Sequence, residues 1–274
     1  MAYDPTIYLG CAAHYLRGRP PYSRALPATL ENELQLDGSG RFLDVGCGPG
    51  TLVFDLAAHF EEALGIDPDA DMLAEAAREG AQRCLNHVGW VRACAEDLAR
   101  MDLGQFKLVT FGQSFHWTDR ERVADAVYDL LVPGGAMVLI AHEREGRPQP
   151  KGPGHPEVPH EAVRAVVDRF LGARRRAGHG YSRRHADRYE DALARTRFGV
   201  PQTIFCPGRN DIVRDADGVL AGCFSTSSAA PHLFEERLSE FAVAVRAELA
   251  KHSPSGLFWD WPGDTGLVIA RKSD

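Results

Sequence analysis

No apolar run in the 274 residues approaches the roughly 18 needed to cross a bilayer, so no transmembrane helix is predicted. The N-terminal stretch "MAYDPTIYLGCAAHY" lacks the basic region and apolar core of a secretory signal, which predicts a cytoplasmic location. Cysteine is scarce and scattered: Cys11, Cys47, Cys84, Cys94, Cys206 and Cys223 include no C-x-x-C pair. That spacing argues against a zinc ribbon or a disulfide framework and fits a reducing compartment. The eleven histidines are equally dispersed, and no metal site can be assembled from them. Positive charge is not in excess either. A formal net charge of −7 gives no general attraction to nucleic acid or to an anionic membrane. There is no internal repeat and no low-complexity tract.

What is present is an ordinary globular composition, 44% hydrophobic and 25% charged, enough to bury a substantial core. From Phe42 onward, strand-like and helix-like segments alternate. "FLDVG" runs into the helical "GTLVFDLAAHF", and "EALGID" into "ADMLAEAAREGAQRC". "VGWVRACAED" follows, then "FKLVTFGQSF" before "RERVADAVYDLL", and "GGAMVLIAHE" ends the series. This alternation predicts an α/β fold, a doubly wound and mostly parallel sheet with helices on both faces. After His142 the Pro- and Gly-rich "EREGRPQPKGPGHPEVP" leaves the sheet, and a run of helical segments follows. The expected division is an N-terminal helical flap over 1–40 and a core over 41–142. A helical cap and substrate region with a returning strand covers 143–262, and 263–274 forms a C-terminal edge strand.

The segment "RFLDVGCGPGTLVFDLA" organises the chain. A G-x-G-x-G turn between strand and helix lets the backbone approach a ligand closely and aim N–H groups at it. Dinucleotide enzymes use a similar loop to cradle pyrophosphate, but a carboxylate just before the glycines opposes a phosphate and favours a cation. Asp44 therefore suits a ligand carrying ammonium and sulfonium charge, such as S-adenosylmethionine (SAM). "GIDPDADML" places Asp67 at the end of the second strand, where a carboxylate accepts hydrogen bonds from ribose hydroxyls. "ACAEDLA" places Glu96 and Asp97 after the third, positioned to read an adenine edge.

These ordered motifs resemble the class I SAM-dependent methyltransferases of the small-molecule branch, and within it the trans-aconitate and type-11 enzymes. "LDVGCGPGTL", "GIDPDADML", "AEDL", "GQSFHWTD" and "LVPGGAMVL" match that family's successive motifs over roughly residues 12 to 142. The resemblance implies a Rossmann-like core with SAM as cofactor and S-adenosylhomocysteine as product. It implies that Asp44, Gly46, Cys47, Gly48 and Gly50 surround the methionine part. Asp67, Pro68 and Met72 would flank ribose and adenine, and Glu96, Asp97 and Leu98 would line the adenine pocket. Gln113 and Ser114, in the segment the family places beside the sulfur, complete the expected cofactor set.

His116 in "GQSFHWTD" is a candidate proton acceptor, because an imidazole titrates near neutrality; the alternative is a helix-start residue bonded within its loop. Trp117 is either a pocket wall or buried packing. "YLRGRPPY" is similar to a segment that the family folds over its cofactor. There Arg19 would pair with the methionine carboxylate, and Tyr15 or Tyr22 would close the pocket. The basic run "ARRRAGHGYSRRHADR" is either a solvated face or an anion site, with Tyr181, Arg183, Arg184 and His185 as candidates. Ser225, Thr226 and Ser227 either face a polar acceptor or cap the next helix. The expected partner is a small molecule, secondary metabolites and carboxylates included, with neither nucleic acid nor membrane, on a monomer or homodimer. The expected reaction is methyl transfer to an oxygen, nitrogen or carbon nucleophile. The rivals are an enzyme of this fold that cyclises SAM itself and releases methylthioadenosine, a non-catalytic SAM-binding protein, and a nicotinamide oxidoreductase. Asp44 disfavours the last.

Overall fold

The structure is a computed structural model that describes residues 3–181 and 187–273. Its strands, in chain order, begin with β1 (Arg41–Val45), β2 (Glu62–Asp67), β3 (Val88–Arg92), β4 (Phe106–Gly112) and β5 (Leu131–Glu143). They continue with β6 (Arg176–Ala177), β7 (Gly180–Tyr181), β8 (Gln202–Cys206), β9 (Val213–Asp215), β10 (Leu257–Trp259) and β11 (Asp264–Arg271). One seven-stranded sheet runs in the order β3-β2-β1-β4-β5-β11-β8. The first five of these strands are parallel, and β11 is antiparallel to both of its neighbours.

The alternation of side chains along each strand builds two apolar layers. Phe42, Leu108, Val138 and Ile140 face helices α2 (Leu26–Leu34) and α3 (Thr51–Leu56), with Leu26, Leu30, Leu52 and Val53 in the same cluster. Leu43, Val109, Met137 and Leu139 face the other way, onto Val123, Ala124 and Val127 of α5 (Arg120–Leu130). A parallel sheet covered on both faces is the expected consequence of near-continuous apolar strands.

One expectation is corrected. Residues 264–271 do not form the edge of the sheet, because β11 pairs with β5 on one side and β8 on the other. The reason is burial: Leu267 and Ile269 fill one layer while Val268 and Ala270 fill the other, so both faces of this strand need cover. The edge is taken by β8, most of whose side chains are exposed or half-buried.

The cap is a third apolar cluster on helices α6 (His160–Leu171), α8 (Ala216–Phe224) and α9 (Leu238–Ala250), centred on Phe241. Phe234 stacks on Phe241 with ring centroids 4.0 Å apart. Helix α6 ends at Leu171, where Gly172 takes φ +81° and releases the chain into the β6–β7 hairpin. The remaining helices are α1 (Ala12–Gly18), α4 (Ala70–Gln82) and α7 (Tyr189–Ala194). Helix α1 docks on α8 so closely that a Cβ at Gly18 would stand 2.2 Å from the Ala221 carbonyl oxygen. Only glycine permits that approach, which brings the N-terminal flap, the cap and the carboxyl edge of the sheet together.

Candidate active site

The turn after β1 is held from the neighbouring strand. Gly46 and Cys47 donate their N–H groups to the Ile66 carbonyl at 2.8 and 3.0 Å, and Gly48 donates to Asp67 Oδ2 at 2.8 Å. Gly50 adopts φ +88° and opens α3; a Cβ there would collide with Trp90 and Phe54. Asp67 Oδ1 also accepts the Asp69 N–H at 2.9 Å, while Asp69 caps α4 by accepting from Asp71 and Met72. Asp44 is 2% exposed and accepts a 2.7 Å hydrogen bond from Thr110 Oγ1. Burial pushes the Asp44 carboxyl up to about 7, with the charge of Asp67 adding to the shift. Burial likewise raises Asp67 to about 6, against the pull of its two backbone donors. Neither acid forms an ion pair among the described residues. Two desolvated carboxylates thus stand beside a glycine turn braced from β2.

Aromatic residues of the flap cover this turn. The Tyr15 ring packs over Gly48, and the Arg19 guanidinium lies 5.0 Å from that ring's centroid. Arg19 Nη2 donates to the Ser225 carbonyl at 2.8 Å, and its Nε is buried without an acceptor among the described residues. Tyr22 reaches Gly112 at the end of β4 and stacks on His142 at 4.9 Å. Two flap residues escaped the sequence reading. The charges of Asp69 and Asp67 act on the buried Tyr3 hydroxyl, and Tyr8 meets Trp117 edge-on at 6.2 Å. The signal was there in "YDPTIYLG", aromatics spaced through a short N-terminal segment. Met72 is buried with Cys11 and Ala230, against Tyr8 and Tyr15. The Pro68 carbonyl accepts from Arg92 Nε at 3.1 Å.

Beyond β4, Gln113 sits at φ +57°, a left-handed conformation that is costly for a side chain of its size. Its N–H bonds the Ile140 carbonyl, and Ser114 Oγ bonds the Val45 carbonyl at 2.6 Å, which ties this segment to the glycine turn. His116 and Trp117 follow on a single 3-10 turn, with His116 Nδ1 3.4 Å from the Tyr189 hydroxyl and Trp117 38% exposed. The missed residue here is His142, at the carboxyl end of β5. Its Nε2 lies 3.3 Å from the Pro20 carbonyl, and its Nδ1 is buried with no partner among the described residues. Burial lowers its pKa to about 4. Its place at the very end of the last apolar run was the available signal.

Some expected contacts are made elsewhere. Glu96 Oε1 accepts the Asp119 N–H at the start of α5, and Asp97 Oδ2 accepts the Cys94 N–H of its own turn. The Leu98 side chain is buried in the α5 layer. These side chains brace the 3-10 helix after β3 rather than converging on one point. Ser225 and Thr226 hydroxyls return to the Gly222 and Cys223 carbonyls at the end of α8, and Thr226, although it precedes the next 3-10 turn, makes no side-chain capping bond to it; Ser227 starts that turn, half-buried. Tyr181 belongs to β7, and Arg183, Arg184 and His185 lie outside the described residues.

Residues 43–137 match the family described as "Methyltransferase domain". The chain is 32% identical over 132 residues to the Saccharomyces cerevisiae protein named "Probable S-adenosylmethionine-dependent methyltransferase CRG1", covering 47% of this chain and 44% of that protein. It is 34% identical over 114 residues to the ubiquinone biosynthesis O-methyltransferase of Psychrobacter cryohalolentis, covering 41% and 44%. The YcgJ protein of Bacillus subtilis shares the fold, with a TM-score of 0.52 at 14% identity over 90% of this chain and 97% of that one.

Residues 43–137 carry a methyltransferase domain.

The matched stretches span somewhat less than half the length of those curated relatives, and the family match over residues 43–137 holds the glycine turn and most of the parallel strands rather than the cap. The donor set fits SAM on its own terms. Two carboxylates without a cationic partner among the described residues accept a ligand bearing ammonium and sulfonium charge, whereas a pyrophosphate would meet only repulsion from them. No helix is long and apolar enough to cross a membrane among the described residues.

Proposed function

We propose that this protein transfers a methyl group from SAM to a nucleophilic oxygen, nitrogen or carbon of a small-molecule acceptor. The observation that carries the reading is the buried pair Asp44 and Asp67 flanking the Gly46–Gly50 turn. SAM supplies an electrophilic methyl on a sulfonium, so the protein's part is alignment in a dry cleft. In this reading the turn at Gly46, Cys47, Gly48 and Gly50 wraps the methionine part, and Arg19 pairs with its carboxylate. Asp67 receives the ribose hydroxyls, Pro68 and Met72 support the nucleoside, and the turn of Glu96, Asp97 and Leu98 borders the adenine. Gln113 and Ser114 fix the wall beside the sulfur, while Tyr15, Tyr22 and Trp117 exclude water.

Where the nucleophile carries a proton, His116 takes it on Nε2, which is the accepting nitrogen when Nδ1–H donates to the Tyr189 hydroxyl. His142, whose pKa near 4 keeps it neutral, holds a hydrogen bond rather than a proton. The experiment is calorimetry with SAM, S-adenosylhomocysteine and NAD. Micromolar or tighter binding of the first two and none of NAD supports the reading; the reverse order refutes it.

A further inference from the structure

A cavity of about 360 Å³ lies between α6 and α8, under the end of α1. It is large enough for a small molecule. Its walls carry six arginines, Arg19, Arg144, Arg164, Arg174, Arg175 and Arg214, in a chain whose net charge is −7. Two acids, Asp168 and Asp260, face the same space. Asp260 is fully engaged: it accepts from Arg214 Nε at 2.6 Å and sits 3.2 Å from His160 Nε2. Arg144 is paired with Glu157 at 2.7 Å. Arg19 and Arg164 form no ion pair among the described residues, and Arg19 has a buried Nε with no acceptor there. A second cavity of about 530 Å³ shares Arg19, Pro20 and Arg214 with the first and reaches Thr51, the first residue of α3 beside the glycine turn. Arg19 therefore stands between the two cavities, with its guanidinium 5.0 Å from the centroid of the Tyr15 ring that packs over Gly48 of the glycine turn.

We infer that the cap cavity is the acceptor's anion site, and that it takes a small molecule bearing a carboxylate or phosphate. The inference rests on the methyltransferase reading for the word acceptor, but not for the binding itself. Guanidinium groups match both anions through paired N–H donors. Arg164 on α6 receives the anionic handle, Asp260 holds Arg214 in place, and the uncharged part of the molecule extends past Arg19 and Pro20 toward the cleft. The arrangement selects by charge: a neutral isostere offers Arg164 no counter-charge.

The test is calorimetry with three probes, glutarate, its neutral diamide glutaramide, and inorganic phosphate, each with and without S-adenosylhomocysteine. Saturable binding of glutarate or phosphate, at least tenfold tighter than glutaramide and weakened by added salt, is expected. The relative affinities of glutarate and phosphate identify which anion the site prefers. Arg164→Gln should weaken that binding about fivefold while S-adenosylhomocysteine binds as before. Equal binding of glutaramide and glutarate, anion binding unchanged in Arg164→Gln, or no binding of either anion overturns the proposal. Failure of S-adenosylhomocysteine to bind contradicts the methyltransferase reading instead, and the probe titrations without it still decide the anion site.

Discussion

The charge of Asp67 reaches Asp44 across two adjacent parallel strands and helps hold the Asp44 carboxyl near 7. Because both acids sit above the ordinary 3.8 in the folded protein, the native state binds more protons than the unfolded chain from about pH 4 to 7. The ligand-free protein therefore loses stability as pH rises through that window. A cationic ligand reverses the balance by favouring the ionised acids. SAM affinity should rise between pH 5.5 and 7.5, and binding at pH 6.5 should release protons, seen as a dependence of calorimetric heat on buffer ionisation enthalpy. Asp44→Asn should flatten the upper part of this profile. Proton uptake on binding would contradict the assignment.

Asp67→Ala removes the acceptor of the Gly48 N–H and, in the proposed function, of the ribose hydroxyls. Charge-assisted hydrogen bonds contribute about 1.5–3 kcal/mol each. A loss of SAM affinity of roughly 10- to 100-fold is expected by calorimetry. An unchanged affinity would displace the ribose from this position.

The glycine turn and both acids were legible because they depend on local order: strand, glycines, helix, then the next strand's last residue. The roles of Tyr3, Tyr8 and His142 were not, because only the folded chain brings residues 3, 8 and 142 to one cleft. The strand "TGLVIA" had a readable clue to its interior place, since it lacks the polar alternation that "QTIFC" shows on the edge. The burial of the Leu98 side chain has a local cause. The 3-10 turn begun by the Cys94–Asp97 capping bond rotates it into the core.

The two histidines should separate in kinetics. His116→Ala is expected to lower kcat about 100-fold with little effect on SAM affinity, and to remove a titration from the kcat profile. His142→Phe keeps the stack on Tyr22 but loses the Nε2 contact to Pro20, and should raise the acceptor KM while leaving the shape of the pH profile intact. Full turnover in His116→Ala would retire its proton-accepting role.

Gly18→Ala tests the docking of flap on cap. The added methyl would meet the Ala221 carbonyl at 2.2 Å, and the backbone must move to admit it. A destabilisation of about 2 kcal/mol, roughly 5 °C in Tm for a chain of this size, is expected by thermal denaturation. An unchanged Tm would mean that α1 and α8 do not pack as described.

The central claim is methyl transfer to a small molecule, and incubation with methyl-labelled SAM and a fractionated metabolite extract tests it most directly. The account predicts label in a low-molecular-weight product, formed in equal amount with S-adenosylhomocysteine. Release of methylthioadenosine, or SAM bound and recovered intact against every fraction, would contradict it.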